Sequence, residues 1–210
     1  MRPLALDDIL DPDAYEPVRD AFRAAVIAHK KHRRLEVGEC VTLVFEDRET
    51  LRFQVQEMVR IERIRERAAV QRELDVYNEL VPGERELSAT LFIEITDSEA
   101  IRPELDRLIG IDEHVALVLD TPGGEESVAA SFDPKQMDDD RISAVHYIRF
   151  RLSPAHVERL RDPGVRARIR ISHPNYRRDA EVAGPLRASL ARDFEGDTPP
   201  LLPPDALRAG

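Results

Sequence analysis

Five consecutive apolar residues, Val115-Ala116-Leu117-Val118-Leu119, constrain this chain more than any other segment. An extended strand turns successive side chains to opposite faces. A strand that is apolar on both faces must be covered on both sides, which makes this segment the expected center of a core. Thr121-Pro122-Gly123-Gly124 follows as a turn, and residues 127–132 are its expected hairpin partner. Strands are also expected at 41–46, 87–96, 144–152 and 165–173. The 87–96 segment shows the pattern best, with Leu87, Ala89, Leu91, Ile93 and Ile95 alternating against Ser88, Thr90, Phe92 and Glu94.

Helical periods separate these strands. Asp13 can cap a helix over 15–34 that carries Val18, Phe22, Ala25, Val26 and His29 at helical spacing. It ends in His29-Lys30-Lys31-His32-Arg33-Arg34, the one basic run of the chain. Cations there complement the helix dipole, so the run reads either as a solvated helix end or as a contact for an anion or acidic partner. A long helix is expected over 51–80, begun by Asp47 or Thr50 and stopped by Pro82-Gly83, with a break near 67–71. Shorter helices are expected at 97–109, 154–160 and 185–193. An acidic loop is expected at 133–141, and the Pro-rich stretch 198–204 should be extended and poorly ordered. Short links in the second half favor antiparallel pairing. The resulting expectation is an α+β fold. One mainly antiparallel sheet of about six strands carries the long helix and the shorter ones on one side, in a single domain over 1–195 with a tail at 196–210.

Charge narrows the function classes. The net charge is −10, from 41 acidic and 31 basic side chains, which argues against nucleic acid as a partner. All the basic residues except Lys30, Lys31 and Lys135 are arginine, whose planar fork pairs with carboxylates. Cys40 is the single cysteine and reads as a small buried hydrophobe at a strand start. It rules out a disulfide framework within one chain and leaves little room for cysteine-ligated zinc or iron–sulfur. The N-terminus has acids where a signal peptide needs an apolar run, and no stretch approaches the ~20 apolar residues that span a bilayer. A cytoplasmic location away from membranes is expected. A homo-oligomer stays open.

No phosphate-binding glycine loop, dinucleotide fingerprint, nucleophile elbow, His-Glu-x-x-His or Glu-x-x-His occurs in the sequence. The candidates for chemistry are carboxylates and histidines. With Leu51, Val55, Met58 and Val59 as the buried face of the long helix, Glu62 falls inside the apolar arc. A carboxylate there needs a partner from another element. Gln54, Glu57 and Arg60 on neighboring faces extend a polar patch. Alternation places His146 with Ile148, Phe150 and Leu152, and His173 with Ala167, Ile169 and Ile171. Both imidazoles therefore face the apolar side. If the two strands pair antiparallel with 152 opposite 167, His146 lies opposite His173, with Cβ atoms ~5 Å apart. Glu57, Glu62, Glu94, His146 and His173 then form a mixed set that suits iron, manganese or zinc, although no cofactor is evident. A closed hydrogen-bond network is the other reading of the same residues. On the opposite face, Arg149, Arg151, Arg166, Arg168 and Arg170 form a local basic patch that suits an acidic partner or an anionic ligand.

Four segments carry a resemblance. They are Phe45-Glu46-Asp47-Arg48-Glu49-Thr50, Gln54-Val55-Gln56-Glu57-Met58-Val59-Arg60-Ile61-Glu62-Arg63, Glu73-Leu74-Asp75-Val76-Tyr77-Asn78-Glu79-Leu80-Val81-Pro82 and Leu87-Ser88-Ala89-Thr90-Leu91. With Val145-His146-Tyr147 and His173-Pro174-Asn175-Tyr176, they resemble the bacterial domain-of-unknown-function family 3501 over roughly residues 3–195. Tyr77 and Asn78 join the polar-patch candidates through these segments. The resemblance implies no activity. It implies a place in a redox or oxidative-stress pathway, because members are typically encoded beside rubrerythrin-like proteins and heterodisulfide-reductase-type iron–sulfur proteins. Three functions fit. One is an accessory or interaction partner of an iron–sulfur or rubrerythrin-type protein. Another is an enzyme binding a divalent metal or small ligand through the Glu/His set. The third is a ligand-sensing domain without catalysis.

Overall fold

The computed structural model describes residues 1–134, 141–196 and 198–202. The strands are β1 (Arg34–Glu36), β2 (Val41–Glu46), β3 (Glu86–Ile93), β4 (Val115–Thr121), β5 (Gly124–Ala129), β6 (Ser131–Phe132), β7 (Val145–Arg151), β8 (Ala167–His173) and β9 (Tyr176–Glu181). The α-helices are α1 (Pro12–Tyr15), α2 (Arg19–Lys31), α3 (Arg48–Ile61), α4 (Arg67–Asn78), α5 (Ile101–Asp106), α6 (Pro154–Arg161) and α7 (Gly184–Arg192). Most of the loop expected at 133–141 and the chain after 202 lie outside the described residues.

The α+β class and the antiparallel pairing hold, but the strands divide into two sheets instead of one. The first has the order β1-β2-β3-β7-β6 and the second β5-β4-β8-β9, with every neighboring pair antiparallel. Each sheet has one strongly apolar face, and the two faces share a single core. Leu43, Phe45, Leu91 and Phe150 come from the first sheet, and Leu117, Leu119, Ile169 and Ile171 from the second. Leu160 of α6 and Leu190 of α7 join the same core. Two apolar sheet faces lose most of their contact with water when buried against each other, and this favors the layered solution. Strand β4 lies between β5 and β8, as its apolar run requires. Val115, Leu117, Val118 and Leu119 are all buried, and Ala116 is partly so.

The other face of the first sheet is also covered. Thr42, Val44, Glu46, Ser88 and Thr90 are buried there, although the residues are mostly polar. Above them α3 and α4 enclose a second cluster of Leu51, Val55, Val59, Leu74, Leu80 and Val81, against which Tyr147 of β7 packs. A third cluster joins α1 and α2 through Tyr15, Phe22 and Val26. The layers thus run from helices through the five-stranded sheet to the four-stranded sheet.

Residues 51–80 do not form one helix broken near 67–71. Helix α3 stops at Ile61 in a reversal in which Ile64 N donates to Val59 O (2.9 Å) and Arg63 N to Arg60 O (3.2 Å). Arg63 occupies the left-handed position with φ 54°, where glycine is usual. Glu62 is the cap residue of that turn and is exposed to solvent, so it is not buried within the apolar arc. At the N-terminal end, Asp11 instead of Asp13 caps α1, accepting from Asp13 N and Ala14 N.

Candidate functional site

The polar site of this molecule begins on one stripe of α2. Phe22 and Val26 point inward at helical spacing, His29 continues the same stripe past the end of the apolar surface, and Arg33 follows it just beyond the helix end. They meet the junction of β2 and α3. There Asp47 caps α3 by accepting from Glu49 N (3.0 Å) and Thr50 N (2.9 Å), while Asp47 N donates to Thr50 Oγ1 (2.9 Å). The second carboxylate oxygen of Asp47 lies 2.5 Å from His29 Nε2. Asp47 is fully buried, and the His29 side chain is 16% exposed.

Arg33 holds this junction together from inside. Its guanidinium is 1% exposed and all its donors are engaged. Nε donates to Phe45 O, Nη1 to Ser189 Oγ and Asp193 Oδ1, and Nη2 to Glu46 O and Asp193 Oδ2, at 2.7–3.1 Å. Arg33 Nη1 also lies 3.5 Å from Asp47 Oδ2. Over this floor opens a cleft of about 540 Å³. Ser189 and Arg192 of α7, with Asp193 just after it, wall it on one side, and residues 198–201 on the other. Among the tail residues, Thr198–Leu202 therefore return to the body instead of running free. Leu201 N donates to Glu49 Oε2 (3.0 Å), and Leu202 is buried with Tyr15, Phe22 and Val26.

The electrostatics assign the proton. Burial alone would raise the Asp47 carboxyl, but the His29 hydrogen bond and the Arg33 charge more than reverse this and hold it down at about 2. Asp193 goes the other way, because burial outweighs the pull of Arg33 and lifts it above its ordinary value. With Asp47 ionized at neutral pH, His29 Nε2 must carry a proton and donate it. A neutral His29 then presents an Nδ1 lone pair, and a protonated one presents an N–H. No described residue takes that nitrogen.

The residues singled out from sequence do not converge. Glu57 is closed within its own cluster, receiving Arg19 at both oxygens (2.9 Å each), Tyr15 Oη (2.8 Å) and Arg60 Nη2 (3.3 Å). Burial would raise its carboxyl, but these donors hold it at about 2. Glu94 follows β3, where Thr42 and Arg34 bind it and keep its carboxyl low. His146 and His173 sit in different sheets. The expected pairing of their strands does not form, because α6 carries the chain from β7 in the first sheet to β8 in the second. His146 Nε2 bonds Ser143 O (2.7 Å), and burial lowers its pKa. His173 Nε2 bonds Ile109 O (3.0 Å). Each makes its own backbone hydrogen bond, in a separate place. Among the described residues no group of three or more His, Cys, Asp or Glu side chains is arranged to hold a metal ion.

The polar patch and the arginine face also disperse. Gln54 binds Glu46, Asn78 clamps both backbone groups of Leu4, and Tyr77 packs against the α3–α4 cluster. Arg149 and Arg151 bind Glu86 on the first sheet. Arg168 and Arg170 belong to the second sheet, where Asp120, Glu125 and Asp179 neutralize them, and Arg166 lies exposed just before β8. Cys40 is only partly buried, and burial raises its thiol. No described helix is long and apolar enough to cross a membrane. In the sequence His29 shows only as a helix position and Asp47 only as a cap. The signal that could have joined them is the 22-26-29-33 stripe, whose polar end needs a charged partner.

Comparison with known proteins places these features in context. The family described as "Protein of unknown function (DUF3501)" matches residues 3–194. A crystal structure of a protein of unknown function from Burkholderia pseudomallei K96243 is 39% identical, with a TM-score of 0.84. The alignment covers 92% of this chain and all of that one. No curated protein matches the chain.

Proposed function

Since the chain belongs to the DUF3501 family, whose description states no function, we propose a role drawn from the cleft itself. The protein binds a small molecule between α2, the start of α3 and α7, with His29 as the group that exchanges a proton with it. The observation that carries this reading is the 2.5 Å contact between His29 Nε2 and the buried Asp47 carboxylate at the floor of an open cleft. A carboxylate-oriented imidazole with its second nitrogen unused is the arrangement that general acid–base chemistry requires. It equally suits the holding of a ligand's acidic proton, as in a sensor. Arg33 contributes by fixing both carboxylates, since its donors are spent. At the rim exposed Arg192 can meet an anionic group of the ligand, beside the exposed carboxylate of Glu195.

A thermal-shift screen of small organic acids and phosphates, repeated on His29→Gln, tests this. A ligand that raises the melting temperature of the parent and fails to do so for the variant supports it. A shift that persists in His29→Gln, or no shift across the screen, removes the cleft from consideration. The accessory role beside an iron–sulfur or rubrerythrin-type partner is a proposal resting on the sequence resemblance. Of the five arginines that suit such a partner, Arg149, Arg151, Arg168 and Arg170 are paired with neighboring acids.

A further inference from the structure

Helix α2 has a second stripe, opposite in character to the one that ends in His29. Ile27, Lys30 and Lys31 follow each other at helical spacing on its outer side, and Arg34 of β1 continues the row. Together with Val44 of β2 and Phe92 of β3 they line a groove of about 390 Å³, separate from the cleft. Ile27 is 46% exposed there, one of few large apolar side chains so placed among the described residues. The rim is basic in a chain of net charge −10 and holds two of its three lysines. Lys31 is exposed and makes no ion pair among the described residues, and Lys30 reaches Glu46 only at 3.7 Å. The one acid lining the groove, Glu94, is paired with Arg34 and Thr42, so the positive charge left on the rim is that of Lys30 and Lys31. Beside it runs β1, an edge strand that pairs only with β2.

We propose that this groove docks an acidic segment of a partner protein, with an apolar side chain of that segment seated between Ile27 and Phe92. The inference is independent of the cleft. An apolar floor supplies the anchor, the basic rim selects charge, and the free sheet edge offers backbone groups to an extended chain. A small apolar floor ringed by cations favors an acidic peptide over a membrane, for which a broad apolar face would be needed.

Fluorescence anisotropy with labeled peptides of equal apolar content and graded net charge tests the proposal at low salt, with phosphatidylglycerol vesicles in parallel. The acidic peptides should bind and the basic ones should not. Lys31→Glu should weaken binding about fivefold, an effect that fades as salt rises, and Ile27→Ser about tenfold. Both positions are exposed, so the variants should keep the parent melting temperature. Binding that ignores peptide charge overturns the proposal. So does binding that survives both substitutions, a preference for vesicles over every peptide, or no binding at all.

Discussion

Two ion networks in this molecule use the same residue types and do opposite things. On the outer face of the second sheet, Arg168 and Arg170 share Asp120, Glu125 and Asp179, and most of these side chains are at least a third exposed. Between α2, α3 and α7, Arg33 joins Asp193 and Asp47 with almost no exposure. The outer network has paired its charges in water, and its attraction is screened and largely self-contained. The inner one has removed its charges from water, so every donor must be matched. His29, whose Nδ1 is left unmatched, lines a cleft. Burial is what separates a neutralized surface from a poised site.

The largest expected effect breaks the inner network. Arg33→Met leaves Asp193 and Asp47 buried without their cation and should cost about 3–5 kcal/mol. Urea unfolding measures it, and a loss below about 1 kcal/mol would erase the contrast between the networks.

Acid titration sharpens the contrast next. Folding depresses the Asp47 carboxyl from 3.8 to about 2, so it stabilizes the folded state above pH ~4, and this contribution is lost as pH falls toward about 2. It amounts to about 2 kcal/mol. Asp47→Asn should be less stable than the parent at pH 7, and the gap should narrow steadily between pH 4 and 2. A gap independent of pH would show that Asp47 acts only as a helix cap.

Arg63→Gly gives a yardstick free of burial. It relieves a left-handed backbone at the end of α3 and should raise stability by about 1 kcal/mol, read as a higher urea midpoint with an unchanged slope. Smallest of all, Arg170→Gln should cost no more than about 0.5 kcal/mol and nothing measurable in high salt. A larger, salt-independent cost would mean that the outer network behaves like the inner one.

The strands were legible where alternation or an unbroken apolar run marks them, as at 41–46, 87–93, 115–119 and 145–151. The hairpin of β4 with β5 was legible from its turn, but the partners of the other strands were not. Periodicity shows that β7 and β8 each have an apolar face, but not that the two faces belong to different sheets across a shared core. Strand β9 was missed because Tyr-Arg-Arg-Asp-Ala-Glu is an edge segment that mostly faces water and lacks the apolar period. The end of α3 was hidden because arginine occupies a position where glycine normally announces the stop. Among the site residues, His29 and Asp47 carry local signals as a helix position and a cap. Asp193 has none, since its role exists only once α7 folds over Arg33. Glu62, His146 and His173 attracted notice through local periods that say nothing about tertiary neighbors.

The bond between Arg33 and Asp193 also imposes an order in time. Its partners are separated by 160 positions along the chain. At ordinary rates of synthesis Asp193 leaves the ribosome on the order of ten seconds or more after Arg33. During that interval Arg33, just past the end of α2, has the Phe45 and Glu46 carbonyls and the Asp47 carboxylate to meet, but not the carboxylate that follows α7. The inner network is therefore complete only after the end of α7 has been made. The floor and the α7 wall of the cleft are thus joined by a pair of residues from opposite ends of the chain.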